Sequence, residues 1–270
     1  YLIEDCKIST NIKNTNNSNC LLLACENNEN INVIKYLIED CKMSTNIKNK
    51  ENNDCLLLAC KNNKNINIIK YLVNECKMDI NIKNNRGDDC LLQACRSNFD
   101  INIIKYLIEE CKIDTNLRNK FGDDCLLLTC CNNPDINVVK YLIEERKISV
   151  NIKNNCGNNC LLLACWNNSN IDVVKYLIEN CKIAIDIRND NNDNCLLFAC
   201  KNRKNINIVK YLIEEHKVDL NIKNNNYDNC LLSACRDNRD INMIKYLIEE
   251  CKMDINSRNI IGDNCLLLTC

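Results

Sequence analysis

The feature that most constrains this chain is a period. A YLIEE-type phrase opens at Tyr1 and returns at Tyr36, Tyr71, Tyr106, Tyr141, Tyr176, Tyr211 and Tyr246, every 35 residues. A fixed period of this size is the signature of a solenoid, in which each unit packs only on its neighbours. The stretch from Asn19 to Cys41, NCLLLACENNENINVIKYLIEDC, reads as two short helices joined by a loop. The expected domain organisation is a single array over residues 1–270, about eight units. The chain opens inside one unit and stops inside another, so it is expected to be a segment of a longer protein.

Each unit, counted from its tyrosine as residue 1, repeats one grammar. Residue 19 is Asn or Asp throughout: Asn19, Asp54, Asp89, Asp124, Asn159, Asn194, Asn229 and Asn264. Such side chains cap a helix by accepting a hydrogen bond from an unpaired first-turn amide. Leu21, Leu22, Ala24 and Cys25 then supply an apolar face, and Ala24 leaves room for close helix packing. A second helix starts after Asn30, Asn65, Asp100, Asp135, Asn170, Asn205 and Asp240. Ile31, Ile34, Leu37, Ile38 and Cys41 follow it at helical spacing. Helices of about 8–12 residues are marginal alone, so stacking must hold them. A polar connector such as Met78 to Asp89 alternates apolar and polar residues and predicts an extended arm or short hairpin. Its residue 17 is Gly87, Gly122, Gly157, Gly262, Asn17, Asn52 or Asn192, which predicts a turn with positive φ. Tyr227 departs from this rule.

The phrase DINIKNNRGDDCLLQACRSNFDINIIKYLIEE resembles an ankyrin repeat. Asn81, Asn84, Gly87, Leu91, Ala94, Ile104, Lys105 and Leu72 match that family's pattern, and the resemblance runs through all the units. Two departures are clear. The family's T-P-L-H tetrapeptide is replaced by D/N-C-L-L, which removes a helix-opening proline and the histidine that ties neighbouring loops. Two residues are also added per unit, one between the helices and one after the second. The resemblance implies an all-α helix-turn-helix solenoid with short hairpin arms. Its concave binding surface would be built from the arm tips and the inner face of the first helices.

The 24 cysteines do not read as a disulfide framework. Cys20 and Cys25 would be separated by a helical rise of about 7.5 Å. Equivalent cysteines of neighbouring units would lie about 8–10 Å apart. A bridge needs Cα atoms within about 4.4–6.8 Å. Free cysteine is a small buried hydrophobe, so an intracellular, cytoplasmic, reducing compartment is expected. The Cys-x4-Cys spacing is not a zinc knuckle, and no metal is expected. His216 stands alone and cannot assemble a nucleophilic site without positioned partners. No glycine loop cradles phosphate. No catalytic residue and no cofactor are expected, and the reading is not an enzyme. A formal net charge of -1 gives no overall attraction to nucleic acid or membrane. The lysine ladders at Lys7, Lys13 and Lys35 and their equivalents read as solvated helix ends. Glu4 and Glu39 read as part of a solvated helix face.

The units differ mostly at residues 15, 16, 23, 26 and 29. Large or charged side chains stand at these positions, and at residue 28 in the case of Arg203: Arg86, Arg96, Phe99, Phe121, Trp166, Phe198, Arg203, Arg236 and Ile260. Aromatic residues and arginine are the usual anchors of interfaces. These nine are the candidate partner-binding residues, with Trp166 foremost. Cys131 and Cys156 also fall on variable positions and are expected to be the exposed, reactive thiols. The function expected is a non-enzymatic scaffold presenting a concave surface to a protein partner. The alternative is a self-associating spacer or filament without a specific client.

Overall fold

The computed structural model describes residues 9–202, 206–238 and 240–269. Tyr1, Glu4, Lys7, Arg203, Asn205 and Cys270 lie outside the described residues. The described residues form helices and turns, and none of them is in a strand. Two compact units divide the chain, Tyr1–Cys125 and Leu126–Cys270.

In the first unit, the first helices of successive repeats are Cys20–Asn27, Cys55–Asn62 and Cys90–Gln93. The last continues as a π-helical turn, Ala94–Asn98. The second helices are Ile31–Lys35 running into the π turn Tyr36–Asp40, then Ile66–Asn74 and Ile101–Glu109. Each first helix packs on the next, and each returns against its own second helix. The second unit repeats the plan. Its first helices include Cys160–Asn167, Cys195–Lys201, Cys230–Ser233 and Cys265–Thr269. Its second helices are Ile136–Lys140, Ile171–Glu179, Ile206–Lys210 and Ile241–Lys245. All but Ile171–Glu179 continue into a π turn.

The expected caps form. Asn19 Oδ1 accepts from the Leu22 amide at 3.0 Å, and Asp54 and Asp89 accept likewise from Leu57 and Leu92. Asn159, Asn194 and Asn229 do the same in the second unit. Asn30, Asn65, Asp100, Asp135, Asn170 and Asp240 cap the second helices. The core is the leucine, isoleucine and cysteine of these short helices. Leu21, Leu56, Leu57, Ile68, Leu72, Leu161, Leu196 and Leu231 have essentially no exposure. Full burial of each such side chain is worth about 1.5–3 kcal/mol, which is what helices this short need.

Two backbone features were hidden in the sequence. The connector is a pair of turns, not a strand-paired hairpin. It is tied to the next connector by one backbone bond per repeat: Lys50 N to Asn16 O at 3.0 Å, Asn85 N to Glu51 O at 2.9 Å, and Asp190 N to Cys156 O at 3.1 Å. At the turn, residue 17 is left-handed in every unit, from Asn17 at φ 62° to Gly262 at φ 90°. Tyr227 adopts the same turn at φ 60°. A Cβ on Gly157 would clash with the Asp190 carboxylate and come within 2.9 Å of the Asp190 backbone nitrogen, so that glycine is required for space as well as for φ. The second helices end on a lysine, not a glycine. Lys42, Lys77, Lys112, Lys147, Lys182, Lys217 and Lys252 all lie between φ 51° and 56°. The amide after each reaches back to a helix carbonyl, as from Met43 N to Leu37 O at 3.0 Å, in the manner of a left-handed helix cap.

Side chains complete the ladder. The family's loop-tying histidine is absent, and asparagine 14 of the repeat does its work. Asn84 Oδ1 accepts from the amides of Arg86 and Asp88, while its Nδ2 donates to Asn53 Oδ1 of the preceding repeat at 3.1 Å. Asn119, Asn189 and Asn224 repeat this towards Asp88, Asn158 and Asp193. A second asparagine fastens the inter-helix loops: Asn63 Nδ2 donates to Cys25 O and Asn28 O, and Asn168 Nδ2 to Cys130 O and Asn133 O. On the second helices, the Tyr71 hydroxyl donates to Glu39 at 2.7 Å, with Lys35 Nζ 5.2 Å from its ring centre. Tyr176 and Tyr211 are held in the same way by Glu144 and Lys140, and by Glu179 and Lys175. Glu39 is exposed, as expected of a solvated helix face, and it and the Lys35 series also serve as cross-repeat ties.

Candidate protein-binding surface

Residues 15–17 of each repeat form the connector tip, and residue 26 stands at the end of the first helix. In the first unit Arg86 is exposed at a tip and Phe121 is 52% exposed at the next. A cleft of about 350 Å³ lies between tips and helices, lined in part by Lys50, Lys61, Arg86, Gln93 and Arg96. It brings Arg86 and Arg96 together. Arg96 is not a free cation, however. Its Nε and Nη2 donate to the fully buried Asp88 carboxylate at 2.9 and 3.2 Å. Lys61 is likewise paired with Glu26 at 2.9 Å. Phe99 is half-buried and left-handed at φ 69°, and it closes the π turn Ala94–Asn98.

In the second unit Trp166 is 45% exposed. Its ring meets Phe198 edge-on, 6.3 Å between centres. Phe198 itself is buried, which corrects its expected place on the surface; it is the prop beneath the indole. Lys201 Nζ sits 5.3 Å from the Phe198 ring and is paired with the buried Asp193 at 2.7 Å. Arg236 pairs with the buried Asp228. Ile260 is 64% exposed, as expected of a tip residue. Its amide donates to Asn226 O, so it lies against the turn that carries Tyr227. Arg203 lies outside the described residues.

Sequence reasoning missed the link between residues 18 and 26 of one repeat. Asp88 with Arg96, Asp193 with Lys201, and Asp228 with Arg236 are the same pair, eight residues apart. Where residue 18 is neutral, as in Asn53 and Asn158, residue 26 is free to be Lys61, paired elsewhere, or Trp166. The signal was present as a charge correlation in three repeats, from which Asp123, with Cys131 eight residues on, departs. The exposed Tyr227 and Ile261 at the tips were also not among the expected contact residues.

The thiols are arranged differently from expectation in one respect. All described cysteines are free. Cys156 is exposed as expected, but Cys131 is buried, although the larger Trp166 at the equivalent position is half-exposed. Residue 25 of one repeat pairs with residue 20 of the next, a combination that intra-helix and equivalent-position spacing did not include. The Cys55 thiol, followed by burial, raises the Cys25 pKa well above the usual thiol value. Cys90 is raised in the same way by Cys60, and Cys200 by Cys230. Burial, then the Cys195 thiol, raises Cys165. His216 stacks edge-on against Tyr211 with 4.7 Å between centres, a packing role. Among the described residues no cluster of three or more His, Cys, Asp or Glu side chains is arranged to hold a metal ion. No described helix is long and apolar enough to cross a membrane.

The comparisons agree with this geometry. The family model described as ankyrin repeats (3 copies) matches residues 1–84, 91–189 and 181–259. No curated protein matches significantly. A solved structure, described as the predatory endopeptidase Bd0816 from Bdellovibrio bacteriovorus in complex with immunity protein Bd3460, contains a chain of similar fold. The TM-score is 0.51 at 24% identity, over 66% of this chain and 89% of that one. With helix-turn-helix repeats, left-handed connector turns and a family model spanning most of its length, the chain belongs to the ankyrin-repeat family.

Proposed function

We propose that this chain is a non-enzymatic interaction module that presents its connector tips and first-helix ends to a protein partner. Ankyrin repeats generally mediate protein–protein interaction. The observation that carries the reading is Trp166: a half-exposed indole held against a buried phenylalanine, at a position where other repeats place cysteine, glutamate, lysine or arginine. A large ring fixed before contact loses little entropy on binding. At the equivalent position of two other repeats Arg96 and Arg236 are tied to buried aspartates, so they offer a partner their outer edges and not their full charge. Phe121 and Arg86 stand exposed on tips of the first unit, and Ile260 on a tip of the second. Phe198 contributes through Trp166. The unbridged thiols support a reducing compartment.

The test is a Trp166→Ala titration against a captured partner, with helicity followed in parallel. Affinity is expected to fall at least tenfold, about 1.4 kcal/mol, with helicity unchanged. Equal affinity for the variant would remove Trp166 from the interface. Self-association is the second reading, favoured by exposed apolar tip residues such as Phe121 and Tyr227. A concentration-dependent rise in mass by light scattering would support it.

A further inference from the structure

The cleft of about 350 Å³ beside the first-unit connector tips is lined by four cations, Lys50, Lys61, Arg86 and Arg96, against one carboxylate, Glu51. Lys61 is committed to Glu26, and Arg96 to the buried Asp88. Lys50 and Arg86 are exposed, and neither forms an ion pair with a described residue. The Arg86 backbone is pinned on both sides: its amide donates to Asn84 Oδ1 and its carbonyl accepts from the Lys120 amide, each at 2.9 Å. Its guanidinium therefore stands on a fixed base beside the cleft. In the second unit, no repeat has lysine or arginine at residue 15 or 16, the connector tip. The wall of the cleft is polar as well. Gln93 lines it and is only 4% exposed. The same position, residue 23, is leucine in five repeats and phenylalanine in one. A carboxamide at that depth gives up hydration that leucine never had. Its Nε2 recovers part of this by donating to Asn53 Oδ1 at 3.2 Å.

We propose that this cleft docks an acidic segment of the protein partner, an extended peptide whose Asp or Glu carboxylates bind Arg86 and Lys50. The proposal rests on the reading of the chain as a protein-binding module. The Arg86 fork matches a carboxylate in two-point fashion, and Lys50 adds a point charge. Lys61 and Arg96 contribute their outer edges. Glu51 is the opposing charge: its carboxylate accepts from Asn53 Nδ2 at 3.0 Å and lowers the attraction without cancelling it. The number of free cations selects a peptide over nucleic acid. Duplex DNA carries about one charge per 1.7 Å, and its binders commonly neutralise about 6–10 phosphates. Two free cations beside a cleft of this size match one or two carboxylates. Phe121, exposed on the following tip, offers an apolar contact to the same peptide.

The experiment is fluorescence anisotropy on the full chain with three labelled short peptides, in which Ser alternates with Glu, Gln or Lys. The Glu peptide should bind and the other two should not. Arg86→Gln should weaken Glu-peptide binding about tenfold and flatten its salt dependence. Glu51→Gln keeps an oxygen to accept from Asn53 and should tighten binding about threefold. Lys245→Gln, at an exposed cation of the second unit, should leave it unchanged. All three positions are exposed, so helical circular dichroism should match the parent. Unchanged affinity in Arg86→Gln, weaker binding in Glu51→Gln, an equal loss in Lys245→Gln, or tighter binding of an oligothymidylate with a steeper salt slope would each overturn the proposal. Trp166 stands in the other unit, so Trp166→Ala should not alter peptide affinity. A failed cleft with a Trp166-dependent partner would therefore leave the interaction-module reading intact.

Discussion

Replacing Arg96 by alanine isolates the cost of a buried carboxylate. The Asp88 side chain is fully buried and receives two charged hydrogen bonds from Arg96, at 2.9 and 3.2 Å. Breaking a fully buried ion pair costs about 3–5 kcal/mol. Two features reduce that here. The Arg96 side chain is 22% exposed, so water already screens part of the pair. Asn119 Nδ2 also keeps donating to Asp88 Oδ1 at 2.9 Å after the arginine is gone. The expected loss is about 2 kcal/mol, the scale of a hydrogen bond to a charged group. The double variant Asp88→Asn with Arg96→Ala should recover most of it. Asn53 already shows the neutral arrangement at the equivalent position, accepting from Asn84 at 3.1 Å. Urea unfolding followed by helical circular dichroism measures both variants. If Arg96→Ala stays within about 0.5 kcal/mol of the parent, or the double variant is no more stable than the single one, the ion pair does not hold the repeat as argued.

Two further changes probe the backbone and the caps. Lys77→Gly should stabilise by up to about 1 kcal/mol, since a left-handed non-glycine costs about 1–2 kcal/mol and glycine returns part of that in unfolded-state entropy; a lower thermal midpoint would contradict this. Burial raises the pKa of Asp54 and Asp89. The folded state therefore holds these protons more tightly, and the stability this confers is present below about pH 3.8 and lost as pH rises through the folded value. At pH 7 each buried charge is a cost, so Asp54→Asn should raise the midpoint there and flatten its dependence on pH, while a midpoint at pH 7 equal to or below that of the parent would refute it.

The period, the caps and the apolar faces were legible because they are local. A cap needs one side chain three residues from its amide, and Asn19 or Asp54 announces that in the text. The left-handed turn at residue 17 was legible for the same reason, since Gly and Asn tolerate positive φ. Lys77 and its equivalents gave no such warning, because no residue preference points lysine to that region. Tertiary packing imposes it. Phe198 and Cys131 sat at variable positions, yet variability does not report depth, and the structure buries both.

What the chain's letters settled alone is the repeat: two short helices, a tight connector and a family resemblance carried by many positions in order. What only the folded structure decided is every relation between copies. The pairing of residue 25 with residue 20 of the next repeat, the tie from Asn84 to Asn53, and the use of Glu39 by Tyr71 depend on how one unit is rotated and translated onto its neighbour. That placement is set by side-chain volumes filling a shared dry seam. No single unit's sequence contains the seam, because half of each contact belongs to the next copy.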